Sequence, residues 1–483
     1  MRLAAAACVA ALLAFPALAA EPPVAEPPVA KPPVAKAGTF ELALPGSNIA
    51  FAAEIKALHP VDVQGNSPAE VGSTAYVVPG TERPVTFVVN GGPGASSAWL
   101  QLGAAGPWRT KLAGAAPSIT PELLPNADTW LDFTDLVFLD PPGTGFTPLP
   151  SEAAAKHQAL SVDGDVGVLA GAIRLWVVQH KREASPKFIL GESYGGFRAP
   201  KLARVLQGSS GAAPRGLLLL SPKLDYGHSD ALDVFDDVAL LPSLAAAARE
   251  QGHATTDAEA VLRYATGDYL ADLMRGPRDG AAVDRMTGQV AAMTGLEPAL
   301  VRRHAGRIDA ATFQREANRQ TRQVGSAYDA TVSDADPFPQ STATDAPDAL
   351  LDGLQGTLRG AVRLLDARLG VTPHDGVYQL LNRGLSRQWD YGDGNRRPEA
   401  VSDLQQALAL DPNLRVLVVH GATDLVLPWL GTRLILDQMP RIDPPGRLGL
   451  LVLAGGHMPY LRDASRHALH EAGRALVEGA PLP

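Results

Sequence analysis

The run Phe188-Ile189-Leu190-Gly191-Glu192-Ser193-Tyr194-Gly195-Gly196 sets a serine between glycines, after an apolar stretch and ahead of a helix-compatible one. At a sharp strand-to-helix turn, flanking glycines relieve crowding and the hydroxyl stands at the carboxyl edge of a sheet. The backbone N–H that follows can then meet an oxyanion. The implied chemistry is acyl transfer with Ser193 as nucleophile; an ordinary glycine-rich turn is the alternative. Such a serine needs a general base, and the base needs an orienting carboxylate. In this arrangement the acid and then the histidine follow the serine, each on a loop after a late strand. Val416–Val419 runs into His420-Gly421-Ala422-Thr423-Asp424, and Leu448–Leu453 runs into Ala454-Gly455-Gly456-His457. Asp424 and His457 are therefore the candidate acid and base. His420 competes as base, but it precedes Asp424 and adjoins the strand end, which suits a structural role. Asp225, after another strand, competes as the acid. The remaining histidines lack metal-ligand spacing and no H-E-x-x-H occurs, so no metal site is expected.

A second glycine loop, Asn90-Gly91-Gly92-Pro93-Gly94, follows the strand candidate Val85–Val89. As a dinucleotide fingerprint it fails. Counting G-x-G-x-x-G from Gly92 puts Ser97 in the last glycine position, and no acidic residue ends a second strand about 20 residues on. Its place suits the other half of an oxyanion hole, with Gly92 as candidate donor and a simple tight turn as the alternative.

These loops need strands to carry them. Short apolar runs at Val85–Val89, Leu136–Leu139, Phe188–Leu190, Leu217–Leu220, Val416–Val419 and Leu448–Leu453 are bounded by Gly, Pro or Asp, as central parallel strands buried on both faces are. Helical patterns intervene at Val162–His180, Ala199–Gln207 and Ala464–Val477, and the alternation predicts an α/β fold with a mostly parallel central sheet. Residues 225–384 differ: they are rich in Ala, Arg and Asp, helical in places such as Leu244–Gln251, and without a convincing strand. They read as a helical cap inserted between two sheet strands, with an independent domain as the alternative; the Thr331–Asp348 portion reads as surface loop.

Composition narrows the function classes. With 46% hydrophobic and 19% charged residues, and 47 Gly and 41 Pro below the share of about 25–30% that marks low complexity, the chain has material for a large core. A net charge of −9 without basic blocks argues against nucleic acid or an anionic membrane as partner. Residues 1–19 read as a signal peptide, with Met1-Arg2 as n-region, an apolar run to Leu18, and Ala17-Leu18-Ala19 before the cleavage point. The run is broken by Pro16 and falls short of the ~20 residues of a membrane span, so no stable anchor is expected, with an uncleaved anchor as the alternative. Cleavage removes Cys8, the single cysteine, and leaves an exported protein without disulfides. Residues 20–38 carry three pentads, Glu-Pro-Pro-Val-Ala twice and then Lys-Pro-Pro-Val-Ala, and form a semi-rigid spacer. The α/β core then occupies 39–224 and 385–483 on either side of the 225–384 cap. A bacterial periplasm is the expected location, with secretion as the alternative.

Four blocks in order resemble the serine carboxypeptidase family (peptidase family S10, bacterial branch) of the α/β-hydrolase fold. They are Asn90–Ser97, Asp140-Pro141-Pro142-Gly143-Thr144-Gly145-Phe146, Gly191–Gly196, and the Asp424 and His457 loops, spanning Arg83 to Gly208 and then Arg415 to Val477. The resemblance implies a triad of Ser193, Asp424 and His457 and an oxyanion hole from the N–H groups of Gly92 and Tyr194. It further implies that Asn90, Gly91 and Glu192 bind the free C-terminal carboxylate of a peptide, with no cofactor. A Glu beside a carboxylate needs a proton on one of the two, which low pH supplies. The chain departs from the family pattern at Ala104, where a second Glu is usual, at Ala95, where a Cys is usual, and at Phe197-Arg198, where His-Tyr is commoner. Arg198 is expected to face solvent from the helix, with a compensating positive charge as the alternative. The expected activity is removal of C-terminal residues through an acyl-enzyme, with an esterase or acyltransferase on the same triad as alternative. A non-catalytic binding protein is a third reading, weakened because every catalytic position carries a competent side chain.

Overall fold

The computed structural model describes residues 36–483 apart from 46, 61–68, 81, 113–119, 210, 228–233, 343–347, 372–376, 393–397 and 443. The expected signal peptide and residues 20–35 of the spacer lie outside the described residues.

Nine strands form one sheet: β1 (Lys36–Leu44), β2 (Ser47–Leu58), β3 (Val71–Val77), β4 (Val85–Val89), β5 (Asp135–Leu139), β6 (Lys187–Glu192), β7 (Pro214–Leu220), β8 (Arg415–Gly421) and β9 (Leu448–Leu453). Their spatial order is β1-β2-β3-β5-β4-β6-β7-β8-β9. The first three are antiparallel neighbours, and β3 meets β5 antiparallel. From β5 onward every pairing is parallel. All six apolar runs singled out in the sequence are strands of this parallel part.

Their continuous hydrophobicity has a plain cause, because each strand feeds two cores. Phe87, Ile189, Leu217, Leu219, Val416 and Val418 face one side, against α1 (Val162–Gln179) and α2 (Tyr194–Gln207). The alternate residues Val88, Leu190, Leu218, Leu220, Leu417 and Val419 face the other, which Leu469 and Leu476 of the C-terminal helix Asp463–Glu478 help to cover. Side chains of a strand point to opposite faces with period two, so a strand covered on both sides shows no polar alternation. The β4–β5 crossover that reverses the strand order, followed by parallel β6 to β9, is the α/β-hydrolase arrangement.

Between β7 and β8 the chain leaves the sheet. Residues 234–330 pack a separate apolar core around α3 (Val234–Glu250), including Leu241, Leu244, Tyr269, Met286 and Phe313. One short antiparallel ladder, Gln323–Gly325 with Ser333–Ala335, lies in this stretch where no strand was expected. Three residues are too few to show a period, so the sequence carries no signal for it. The later α4 (Leu351–Arg368) belongs instead to the main core, through Leu354, Leu358 and Leu365. Bridges from Leu381 to Ala95 and from Gln379 to Gly145 tie the following segment over the two early loops. No helix among the described residues is long and apolar enough to cross a membrane.

Candidate active site

Ser193 sits between β6 and α2 with φ 61° and ψ −119°, a conformation L-residues rarely adopt. Such a residue costs about 1–3 kcal/mol and persists only where its surroundings over-determine it. Here its N–H donates to the Leu220 carbonyl of β7 at 2.9 Å, and its own carbonyl accepts from Gly196 N–H at 2.9 Å. The flanking glycines are required: a Cβ on Gly191 would run into the Gly195 carbonyl, and one on Gly195 into the Val89 carbonyl. The G-x-S-x-G pattern is thus a packing requirement of the turn itself.

Asp424 and His457 meet beside it. His457 Nδ1 lies 2.8 Å from Asp424 Oδ2, with both side chains buried. Asp424 Oδ1 accepts from the backbone N–H groups of Val426 and Leu427 at 2.8 and 2.9 Å, which fixes the carboxylate. Burial disfavours the His457 imidazolium, but the Asp424 charge and hydrogen bond, joined by the Glu192 charge, outweigh it and raise the ring's pKa above the ordinary value. His420 lies in β8 with Nε2 3.0 Å from Thr432 Oγ1, and burial pushes its pKa down to about 3. Asp225 is elsewhere: its carboxylate accepts from Gly227 N–H and borders a neighbouring cavity of about 310 Å³.

A cavity of about 150 Å³ brings together Ser193, His457, Asn90, Gly91, Gly92 and Glu192. Gly91 lies against the serine turn so closely that a Cβ there would stand 2.5 Å from Tyr194 N and 2.9 Å from Ser193 Cβ. That contact brings the Gly92 and Tyr194 positions side by side. Gly91→Ala is therefore expected to push the loop off the turn and lower kcat/KM by about 100-fold, the scale of a 1 Å misplacement. Steady-state kinetics alongside near-UV circular dichroism checks that the loss is local.

Glu192 is 3% exposed. Its Oε2 accepts from Asn90 Nδ2 at 2.8 Å and from the Tyr460 hydroxyl at 3.0 Å. Burial pushes its carboxyl up to about 7, against the pull of His457 and of the hydrogen bonds from Tyr460 and Asn90. Asn90 is itself held on every side: Oδ1 accepts from Leu100 N–H, the backbone N–H donates to Ser97 Oγ, and the carbonyl accepts from Arg198.

Residues 76–213 match the serine carboxypeptidase family model. Over that stretch the chain is similar to the serine carboxypeptidases. A serine carboxypeptidase-like protein of Arabidopsis thaliana is 28% identical over 33% of this chain and 32% of its own length. A pheromone-processing carboxypeptidase of Leptosphaeria maculans is 30% identical over 27% of this chain and 20% of its own. The matched stretches thus span about a third or less of these relatives. Among solved structures, proline iminopeptidase of Mycobacterium smegmatis aligns over 92% of this chain and 99% of its own, at 13% identity and TM-score 0.36. A thermophilic esterase from Thermogutta terrifontis aligns over 87% and 98%, at 14% identity and TM-score 0.36.

The expectation that Arg198 faces solvent is wrong. It is 1% exposed, and its guanidinium bonds Asp165 through Nε at 2.6 Å and through a second nitrogen at 3.3 Å. A third nitrogen donates to the Asn90 carbonyl at 2.6 Å and reaches the Gly91 carbonyl at 3.5 Å, while the group stacks 4.6 Å over the Tyr194 ring. The helix face carrying Arg198 is covered by α1, which supplies Asp165. Sequence reasoning also passed over Tyr328, whose ring stands edge-on to His457 at 5.5 Å and whose carbonyl accepts from His457 N–H. It passed over Trp99, which lines the same cavity, and Tyr460 too; Tyr460, so soon after His457 in the same loop, was the one within reach of a local reading.

Proposed function

We propose that this protein is a serine-type carboxypeptidase. The observation that carries the reading is the buried Glu192 carboxyl, which shares one cavity with Ser193 and His457 and holds its proton near neutrality. Ser193 Oγ attacks the scissile carbonyl carbon as its proton passes to His457 Nε2, and the N–H groups of Gly92 and Tyr194 receive the oxyanion. His457 then protonates the leaving amino acid as the C–N bond breaks, and water hydrolyses the acyl-enzyme by the same route. Asp424 holds the imidazole and steadies its charged form. Asn90, Gly91 and protonated Glu192 bind the free C-terminal carboxylate. Export to the periplasm belongs to the same proposal.

The productive state requires a neutral His457 and a protonated Glu192. The two groups are coupled, so the observed pKa values belong to the pair. For a free-acid peptide, kcat/KM rises with pH as His457 loses its proton and falls again through about 7 as Glu192 ionises and repels the substrate carboxylate. Glu192→Gln is expected to flatten the alkaline fall, because glutamine donates at every pH. An unchanged fall in the variant removes Glu192 from substrate recognition.

An N-blocked dipeptide, its C-terminal amide and a short acyl ester test the function directly. Cleavage of the free acid with the amide resistant supports the carboxypeptidase. Ester turnover without peptide cleavage supports the esterase or acyltransferase reading, which the alanine at position 104 favours.

A further inference from the structure

We propose that Tyr460 is a positioning residue for C-terminal carboxylate recognition, holding Glu192 in place and setting the pH range over which it keeps its proton. The inference rests on the carboxypeptidase reading and deepens it. Tyr460 lies in the short turn Pro459–Leu461, 1% exposed, and its hydroxyl stands 3.0 and 3.2 Å from the two carboxyl oxygens of Glu192. Its ring reaches that point by lying on Gly103, where a Cβ would stand 2.6 Å from ring atom Cε2. The next residue, Ala104, is buried and offers a methyl group at the position where the family pattern has a second Glu. In this chain the non-amide partner of Glu192 is therefore a phenol arriving from the loop of the catalytic histidine.

A phenol differs from a carboxyl in what it can do. It donates one O–H and, next to an anion in a buried site, stays protonated. It cannot share a proton with Glu192 as a second carboxyl would. Recognition of the substrate carboxylate then hangs on one proton, the one Glu192 carries. Among the described residues the groups facing Glu192 are few: His457 and Asp424 from the loops after β9 and β8, Tyr460 from its turn, and the uncharged Asn90 amide from the loop after β4. Of these, Tyr460 and Asn90 donate directly to the carboxyl, and Tyr460 alone can lose its donor while keeping its shape without gaining a charge.

The test is Tyr460→Phe, which keeps the ring on Gly103 and removes the donor. Loss of a hydrogen bond to the charged form raises the Glu192 pKa, so the alkaline fall of kcat/KM for the free-acid dipeptide is expected to move up by about one pH unit. With an acyl ester, which has no carboxylate to bind, kcat/KM at a pH where His457 is already neutral stays within about twofold. In a Glu192→Gln background, Tyr460→Phe is expected to shift nothing. A readout free of catalysis runs in parallel: the infrared band of the protonated Glu192 carboxyl, isolated by subtracting the Glu192→Gln spectrum, is titrated with and without the Tyr460 hydroxyl. An unmoved infrared midpoint, or equal losses on free-acid and ester substrates, overturns the proposal. A midpoint moved by Tyr460→Phe, together with a wild-type protein that cleaves no free-acid peptide, supports the hold of Tyr460 on Glu192 and sinks the carboxypeptidase reading instead.

Discussion

Ser193→Ala is expected to lower kcat on a cleavable peptide or ester by on the order of 10⁶-fold, because nucleophile and base act as a unit and neither works alone. The wild-type protein is expected to take up one equivalent of an organophosphonate inhibitor, read by intact-protein mass, and the variant none. Asp424→Asn is expected to cost about 10⁴-fold by presenting His457 in the wrong tautomer, with the fold intact. The turn is held by backbone contacts to Leu220 and by Gly191 and Gly195, none of which uses the serine hydroxyl. The Ser193→Ala protein should therefore melt close to the wild type, which separates lost chemistry from lost structure. Full turnover by Ser193→Ala removes Ser193 from the mechanism.

The second large effect concerns the ion pair behind the glycine loop. Asp165→Asn leaves the Arg198 charge buried among Tyr194, Trp389 and two carbonyls, and is expected to destabilise the protein by about 3–5 kcal/mol. Replacing both partners with apolar residues, Arg198→Met with Asp165→Leu, removes the desolvated charges together and is expected to recover most of that stability. Activity is expected not to follow. The Asn90 carbonyl loses its donor in the double variant while the Gly91 carbonyl keeps the Ala95 N–H, so the loop that carries Gly92 loses one of its anchors. A tenfold or greater deficit in kcat/KM should persist, about 1.4 kcal/mol of transition-state binding. Thermal melts and kinetics on the single and double variants decide the matter. A double variant with full activity would show that the pair only stabilises, with no part in positioning the loop.

Much of this site is written locally. The strand, the G-x-S-x-G turn and the following helix are fixed by sterics among adjacent residues, so Ser193 could be read with no knowledge of the fold. The order of the Asp424 and His457 loops after apolar strands was legible for a related reason: strands buried on both faces are unmistakably apolar, and parallel strands bring their carboxyl ends to one edge.

What sequence could not decide are the partners. Arg198 follows a glycine pair on a helix, and nothing local says which face is covered; its partner Asp165 lies 33 residues earlier on another helix. Glu192 and Tyr460 are 268 residues apart, and their meeting depends on β9 lying beyond β7 and β8 in the same sheet. Tyr328 reaches His457 from the stretch between β7 and β8, where no pattern pointed to a site. The sequence by itself determined which groups could react, because turn geometry and strand burial are short-range. The tertiary structure decided how those groups are tuned, because burial and charge act through space and take no account of distance along the chain.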